Sequence, residues 1–412
     1  MGRWLRTQTR NVLLLQLVPR YHEAPASQKG RLLDEAAAQT GYTRRYAMWL
    51  LNHPEQMQPQ QRRRRPSHYG PEVQHALFLA WHAANGICSK RLIPFLPTLI
   101  EALERHEHLH LSETCREQRL SMSAATADRL LATQRIQRLH GLSTTTAGTF
   151  LKHQIPLRTC HDWKPTHPGF LEADLVAHCG TQTEGIYLYT LTLTDLATGW
   201  TECLPLRSKS AQEVVSALQQ ARTLIPFPIL GLDTDNGSEF LNQTLLDYCA
   251  AEQITFTRGR PEVKNDQCHV EQKNRAVVRQ VVGYDRLEGA DAYQQLTQVY
   301  LALRLYVNGF QPSMQLQAIS CDERTRRRVY DAAKTPVQRL LLSQVLPTPA
   351  EQALQRAVRM LDPLRLLHHL SDLQQALLNP ATRAASTPQQ VLLSPFSPFV
   401  STAAWPGQIP SR

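Results

Sequence analysis

The stretch LDTDNGSEFLNQ, residues 232 to 243, sets Asp233, Asp235 and Glu239 around an Asn236-Gly237 turn, directly after the apolar run Phe227 to Leu232. The run predicts a buried strand, and Asn-Gly predicts the turn that ends it. The carboxylates then have two readings. Asp-Asn-Gly is favourable turn chemistry, and acids beside turns ordinarily sit in water. Alternatively, a buried strand that ends in acids is a catalytic feature, and the rest of the chain has to separate the two.

Working outward, GFLEADLVAHCG (169–180) alternates like a strand, and GIYLYTLTLTDLATGWTECLPL (185–206) reads as two strands joined by a turn at Asp195 to Gly199. SAQEVVSALQQARTL (210–224) is amphipathic at helical spacing and leads into the strand FPILGLD. A helical LNQTLLDYCAAEQ, a short strand ITFTRG, a polar loop RPEVKNDQC and a long helix from about His269 to Val282 follow. Three strands, helix, strand, helix, strand, helix is a mixed α/β layer with helices packed on a sheet.

In this order Asp174 lies on the first strand, Asp235 just past the fourth, and Glu271 in the first turn of the long helix, within HVEQKN. Between Asp235 and Glu271 stand 35 residues. This spacing resembles the D,D(35)E constellation of retroviral integrases and bacterial DDE transposases, whose catalytic core is ribonuclease H-like. The motifs are DNGSEF for the second Asp and VEQKN for the Glu with an Asn three residues later, and the likeness covers about residues 165 to 310. Within the superfamily the chain most resembles bacterial insertion-sequence transposases with N-terminal helix-turn-helix segments.

The resemblance implies that Asp174, Asp235 and Glu271 are both catalytic residues and ligands of two Mg²⁺ (or Mn²⁺) ions, Asp174 bridging both. Phosphodiester exchange needs an attacking oxygen activated and a leaving oxygen stabilised in line, and hard ions held by carboxylates do both. Two-residue periodicity puts Asp233 on the face of Asp235, and Glu172 on that of Asp174, so parity separates neither pair. Only the family register selects Asp235 and Asp174. Asp266 and Glu262 lie in the loop before the helix, and Glu262 and Val263 depart from the aromatic or basic residues expected there. On the helix, Lys273, Asn274, Arg275 and Arg279 are expected to hold DNA phosphates, with i,i+4 pairing of Glu271 and Arg275 as the plainer alternative.

Upstream, SQKGRLLDEAAAQTGYTRRYAMWLLNH (27–53) has two apolar-periodic segments split at Thr40-Gly41-Tyr42, the spacing of a helix-turn-helix or of an ordinary helical hairpin. In the first case the helix from Thr43 to Leu51 enters a major groove, with Arg44, Arg45 and Tyr46 in contact. PQQRRRRPSHYG (59–70) places Arg62, Arg63, Arg64 and Arg65 in a linker that follows a phosphate backbone or is simply solvated. Residues 71 to 148 are expected to form a second helical DNA-binding segment, with Arg129, Arg135 and Arg138 on a capped basic helix. His106, His108, His110 and Cys115 in HEHLHLSETC match no standard zinc spacing, so a solvated polar helix end is expected.

The predicted plan is a helix-turn-helix segment over 1–58, a basic linker over 59–70, a second helical segment over 71–148 and a catalytic core over 160–315. A basic, helical C-terminal region over 316–378 and a disordered tail over 379–412 complete it. There, CDERTRRRVYDAAKTP (321–336) reads as helix, with Arg326 to Arg328 available to DNA or a second subunit, and 351–378 as an amphipathic helix pair. Across all 412 residues, 45 Lys or Arg exceed 35 Asp or Glu, a charge of +10 that favours polyanionic partners. Eight scattered cysteines without a CxxC pair fit reduced thiols, and the apolar NVLLLQLV (11–18) is too short for a membrane span.

The expected protein is soluble, cytoplasmic and nucleoid-associated, and works as a homo-oligomer on double-stranded DNA, the terminal repeats of an element and its target. Its expected reaction is cleavage of the element ends and joining of the 3′-hydroxyl to target DNA. A domesticated DNA-binding regulator and a ribonuclease H-like nuclease that hydrolyses without joining are the alternatives.

Overall fold

The computed structural model describes residues 7–57, 69–112, 115, 122–132, 167–259, 267–322 and 325–378. The chain divides into two compact units, Met1–His68 and Tyr69–Arg412.

The first unit contains α1 (Thr7–Glu23), α2 (Ala26–Thr40) and α3 (Arg44–Asn52). Gly41 ends α2 at φ 71°, a left-handed conformation that glycine adopts without strain, and the Thr43 side chain caps α3 by accepting from Tyr46 N at 3.4 Å. Leu14, Leu17, Leu33, Ala36, Ala47, Leu50 and Leu51 form a core of their own. NVLLLQLV therefore supplies the buried stripe of α1 through Leu14 and Leu17, while Val12 is exposed.

In the second unit come α4 (Pro71–Ala83), α5 (Ser89–Arg105), α6 (Ala124–Leu130), β1 (Phe170–Ala177), β2 (Tyr189–Asp195), β3 (Thr201–Leu206) and α7 (Ala211–Leu224). β4 (Gly231–Thr234), α8 (Gln243–Ala251) and β5 (Thr255–Arg258) follow. Next, α9 (Cys268–Lys273) runs on through a π-helical stretch, Asn274–Arg279, and a last turn, Gln280–Val282. The unit closes with α10 (Gly289–Phe310), a hairpin of β6 (Leu316–Asp322) and β7 (Thr325–Tyr330), then α11 (Pro336–Leu342), α12 (Thr348–Met360) and α13 (Pro363–Leu378).

The sheet order is β3-β2-β1-β4-β5, antiparallel over the first three strands and parallel from β1 to β4 to β5. This is a ribonuclease H-like mixed sheet with helices packed on it. The fourth strand is shorter than its apolar run, because backbone pairing begins only at Gly231. At the β2–β3 turn the buried Asp195 carboxylate accepts from Gly169 N, Thr198 N and Thr198 Oγ1, although burial still pushes its pKa up to about 6.

Two expectations are corrected. Residues 321–322 and 325–330, read as helix, belong to the hairpin; Leu316, Val329 and Tyr330 are 47, 43 and 45% exposed, so a half-buried strand's period-2 apolar signal is missing there. The helices after residue 71 do not stand apart either, since their core residues join the sheet's hydrophobic cluster and Tyr306 Oη donates to Ala83 O at 2.7 Å. Arg129 lies on α6, capped by Ser123, whereas Arg135, Arg138, Glu262, Asp266, the arginine linker and the tail lie outside the described residues.

Candidate active site

The Asp-Asn-Gly turn after β4 is locked by its own polar atoms. Asp235 Oδ1 accepts from Gly237 N at 2.9 Å, Asn236 Nδ2 donates to Gly259 O at 3.0 Å, and Arg258 donates to Asn236 Oδ1 at 2.8 Å. A Cβ on Gly237 would meet Glu239 Cδ at 2.7 Å and Asp235 Oδ1 at 2.9 Å, so a side chain there would push both carboxylates aside. Glycine here serves the close approach of the two carboxylates rather than backbone freedom.

Helix α9 is stitched to β1 at three points. Glu172 Oε2 accepts from His269 N at 3.0 Å and Val270 N at 2.8 Å, satisfying two of the free amides that open a helix. Asn274 Nδ2 donates to Asp174 Oδ2 at 2.6 Å, and Arg279 donates to Ala177 O at 2.9 Å. Two strand residues advance about 6.6 Å and four helical residues about 6 Å, so the first two stitches keep step along the strand. Glu271 sits between them.

The four acids share one electrostatic neighbourhood. Burial, then the charges of Asp235, Glu271 and Glu239, push the Asp174 pKa up to about 7, against the lowering effect of Leu175 N on Oδ1. Burial also raises Asp235, and the Glu239 charge adds to this against the Gly237 amide. Glu239, quoted in the opening motif but left out of the expected triad, thus bears on both aspartates.

An all-oxygen donor set with uncompensated negative charge fits a hard divalent cation. Asn274 Oδ1, buried and without a partner among the described residues, is a further oxygen at the same place. Among the described residues, as the side chains stand, no group of three His, Cys, Asp or Glu is placed to hold a metal ion.

The acids that parity left open are placed elsewhere. Asp233 pairs in register with Glu172 across β1 and β4, is buried, and accepts from Thr257 Oγ1 at 2.6 Å. Glu172, 2% exposed, is occupied by the amides of α9.

The expected DNA contacts divide. Burial holds the Lys273 ammonium down to about 8, with the Arg91 and Arg339 charges lowering it further and Cys203 acting against them. Arg279 is committed to Ala177 O, Gly283 O and the Tyr284 ring, whereas Arg275 is exposed. In the first unit Arg44 folds back onto Asp34 at 3.2 Å, and Arg45 is exposed. The exposed face of α3 is aromatic instead: Tyr42 meets Tyr46 edge-on at 5.0 Å, Tyr46 stacks on Trp49 at 6.0 Å and Trp49 on His53 at 5.1 Å. His108 binds Asp362 at 2.7 Å and His106 binds Leu361 O at 3.0 Å, so these histidines dock the start of α13 rather than sitting in solvent.

The sheet and its helices define a ribonuclease H-like core, and known proteins say which kind. The integrase core domain model matches residues 165–263. The chain is similar to the uncharacterized protein y4rM of Sinorhizobium fredii (strain NBRC 101917 / NGR234), with 44% identity over 323 residues, 77% of this chain and 91% of that protein. Solved structures similar to it include the HTLV-2 integrase catalytic core domain in complex with magnesium (dimeric form), at 18% identity and TM-score 0.27, covering 35% of this chain and 90% of that one. The catalytic core domain of BIV integrase matches at 17% identity and TM-score 0.30, covering 43% of this chain and 95% of that one. The chain belongs to the DDE transposase and integrase superfamily. Its integrase core is of the polynucleotidyl-transfer type. Among the described residues no helix is long and apolar enough to cross a membrane.

Proposed function

We propose that this protein is a DNA transposase that binds the ends of a mobile element, cleaves them and joins the freed 3′-hydroxyl to target DNA. The observation that carries this reading is the charge coupling of Asp174 with Asp235 and Glu271, three carboxylates brought from β1, the end of β4 and α9 on an integrase-type core. Asp174 would serve two Mg²⁺ or Mn²⁺ ions, with Asp235 and Glu271 each completing one. When bound, such a pair supplies Lewis acidity at the attacking and leaving oxygens.

In the first reaction a water oxygen attacks phosphorus at the element end, the bond to the 3′ oxygen breaks, and that oxygen leaves as a hydroxyl. In the second, the same 3′-hydroxyl oxygen attacks a target phosphodiester, a new P–O3′ bond forms, and the target strand's 3′ oxygen leaves and takes up a proton. Phosphodiester bonds are conserved in the second step, and no protein–DNA covalent intermediate is required. Asn274 holds Asp174 from its Oδ2 side, and the Asn236-Gly237 turn holds Asp235. End recognition falls to the first unit, where residues 1–68 carry 12 Lys or Arg against 4 Asp or Glu, a basic excess suited to DNA phosphates. The active assembly is a homo-oligomer on DNA.

The test uses a labelled duplex taken from the DNA flanking the gene, with Mg²⁺ or Mn²⁺. Asp174→Asn, Asp235→Asn and Glu271→Gln are expected to keep DNA affinity while cleavage and joining fall by orders of magnitude. Asp233→Asn should lose far less. Near-normal cleavage by Glu271→Gln, or a larger loss at Asp233 than at Asp235, rejects the assignment.

A further inference from the structure

We infer that Glu172 is a positioning residue that aims Glu271, acting through the helix that carries it; the inference rests on the metal-site reading above. Glu172 and Asp174 sit two residues apart on β1 and share a sheet face, yet they end in different partners. One oxygen of Glu172 accepts both His269 N and Val270 N, immediately before Glu271. A carboxylate on the first amides of a helix is a charge-assisted contact at the positive end of its dipole. At 2% exposure the bond is shielded from water, which would otherwise compete for those amides.

The consequence is geometric. Glu271 itself is exposed, and among the described residues its hydrogen bonds are those of its backbone, Glu271 N to Gln267 O and Asn274 N to Glu271 O, beside its neighbours' bonds to Glu172. Its helix is anchored at residues 269 and 270 by Glu172 and at 274 by Asp174, both on β1. The second anchor is lent by a residue that would itself be a metal ligand. Of these two, the Glu172 anchor alone is independent of the ion, and the third stitch, Arg279 on Ala177 O, lies eight residues beyond Glu271, so Glu172 fixes the Glu271 backbone before any cation arrives. Asp233, opposite Glu172 in the β1–β4 register, cannot substitute, because Thr257 holds it on the β5 side.

Partners that orient a ligand commonly change metal affinity by about 10- to 100-fold when removed. The experiment titrates Mn²⁺ alone into full-length protein and follows free Mn²⁺ by electron paramagnetic resonance, with amide hydrogen exchange measured alongside. Glu172→Ala is expected to weaken Mn²⁺ binding about tenfold and to speed exchange at residues 269 and 270, leaving the sheet amides unchanged. Glu172→Gln keeps one acceptor oxygen and should recover most of both. Glu271→Gln serves as the benchmark and should also lose affinity.

If Glu172→Ala binds Mn²⁺ like wild type while Glu271→Gln does not, the positioning role is overturned and the site reading stands. Unchanged affinity in Glu271→Gln overturns both. Faster exchange throughout β1 to β5 in Glu172→Ala, unrelieved in Glu172→Gln, also overturns the inference, since the residue would then hold up the sheet instead of aiming one helix.

Discussion

Asn274 Nδ2 donates to Asp174 Oδ2 at 2.6 Å, which ties the third residue after Glu271 to the carboxylate of the first strand. The contact removes one rotational freedom from a half-buried acid that three like charges already strain. Asn274→Ala should therefore lower cleavage of the labelled end duplex by roughly 10- to 100-fold, while duplex affinity stays within about twofold of wild type. Equal losses of affinity and cleavage would instead make Asn274 a DNA contact, as its sequence position alone suggested.

On α3 the exposed residues make a different prediction from the one the arginines invite. All of Arg44, Arg45, Tyr46 and Trp49 reach solvent, but Arg44 is paired with Asp34 and Gly30 O, while the two aromatics stay 45 and 43% exposed. If this face meets the element end, Trp49→Ala should weaken binding about tenfold with the salt dependence intact. Arg45→Ala should reduce the salt slope by about one, and Arg44→Ala should change little. Fluorescence anisotropy at two salt concentrations reads all three, and a dominant effect of Arg44 would reject this orientation of the helix.

Much of the core was legible because its strands obey simple periods. β1 and β2 alternate in sequence although both of their faces are largely buried, the Asp195 to Gly199 turn is written in turn residues, and Asn-Gly ends β4 where expected. Other features depend on tertiary contacts that no local pattern carries. Glu172 and Asp174 have the same parity, and only the arrival of α9 over residue 172 distinguishes them. His106 and His108 look like a polar helix end until residues 361 and 362, more than 250 positions away, come to meet them. The β6–β7 hairpin escaped because TRRRVY shows no buried face at Arg328, Val329 and Tyr330, whose side chains are described, to impose alternation. Lys273 immediately precedes a π-helical stretch that Arg279 ends, and their surroundings, burial for Lys273 and Ala177 O for Arg279, are not given by simple spacing from Glu271.

His178 is fully buried, bonds Thr190 Oγ1 at 2.7 Å, and is held neutral by burial and by the Arg279 charge, its pKa lowered to about 3. An unfolded histidine titrates near 6.5. Its folded pKa is the lower one, so the unfolded chain takes up the proton first. Stability is complete above pH 6.5 and declines as pH falls toward 3, with about 2 kcal/mol already lost at pH 5 from this group. His178→Gln, which cannot charge, should flatten the decline between pH 7 and 5 when urea unfolding is followed through the exchange of β1 and β2 amides. An unchanged slope would assign the acid sensitivity elsewhere.

Behind the sheet, Arg304 on α10 grips Glu202 on β3 through three bonds of 2.9 to 3.1 Å and also donates to Leu224 O at 2.7 Å, while Trp200 Nε1 donates to the same carboxylate at 2.9 Å. Both charged side chains are buried, at 3 and 1% exposure. Breaking such a pair from one side leaves a charge without its counter-ion, whereas replacing both members by apolar groups is often close to neutral. Arg304→Met should thus cost about 3 to 5 kcal/mol, and Glu202→Leu with Arg304→Met together much less than the sum of the single changes. Urea midpoints of the four proteins measure the coupling. Additive losses would show that α10 is held to β3 by its apolar face and by the two Asn308–Thr201 bonds, with the ion pair contributing nothing of its own.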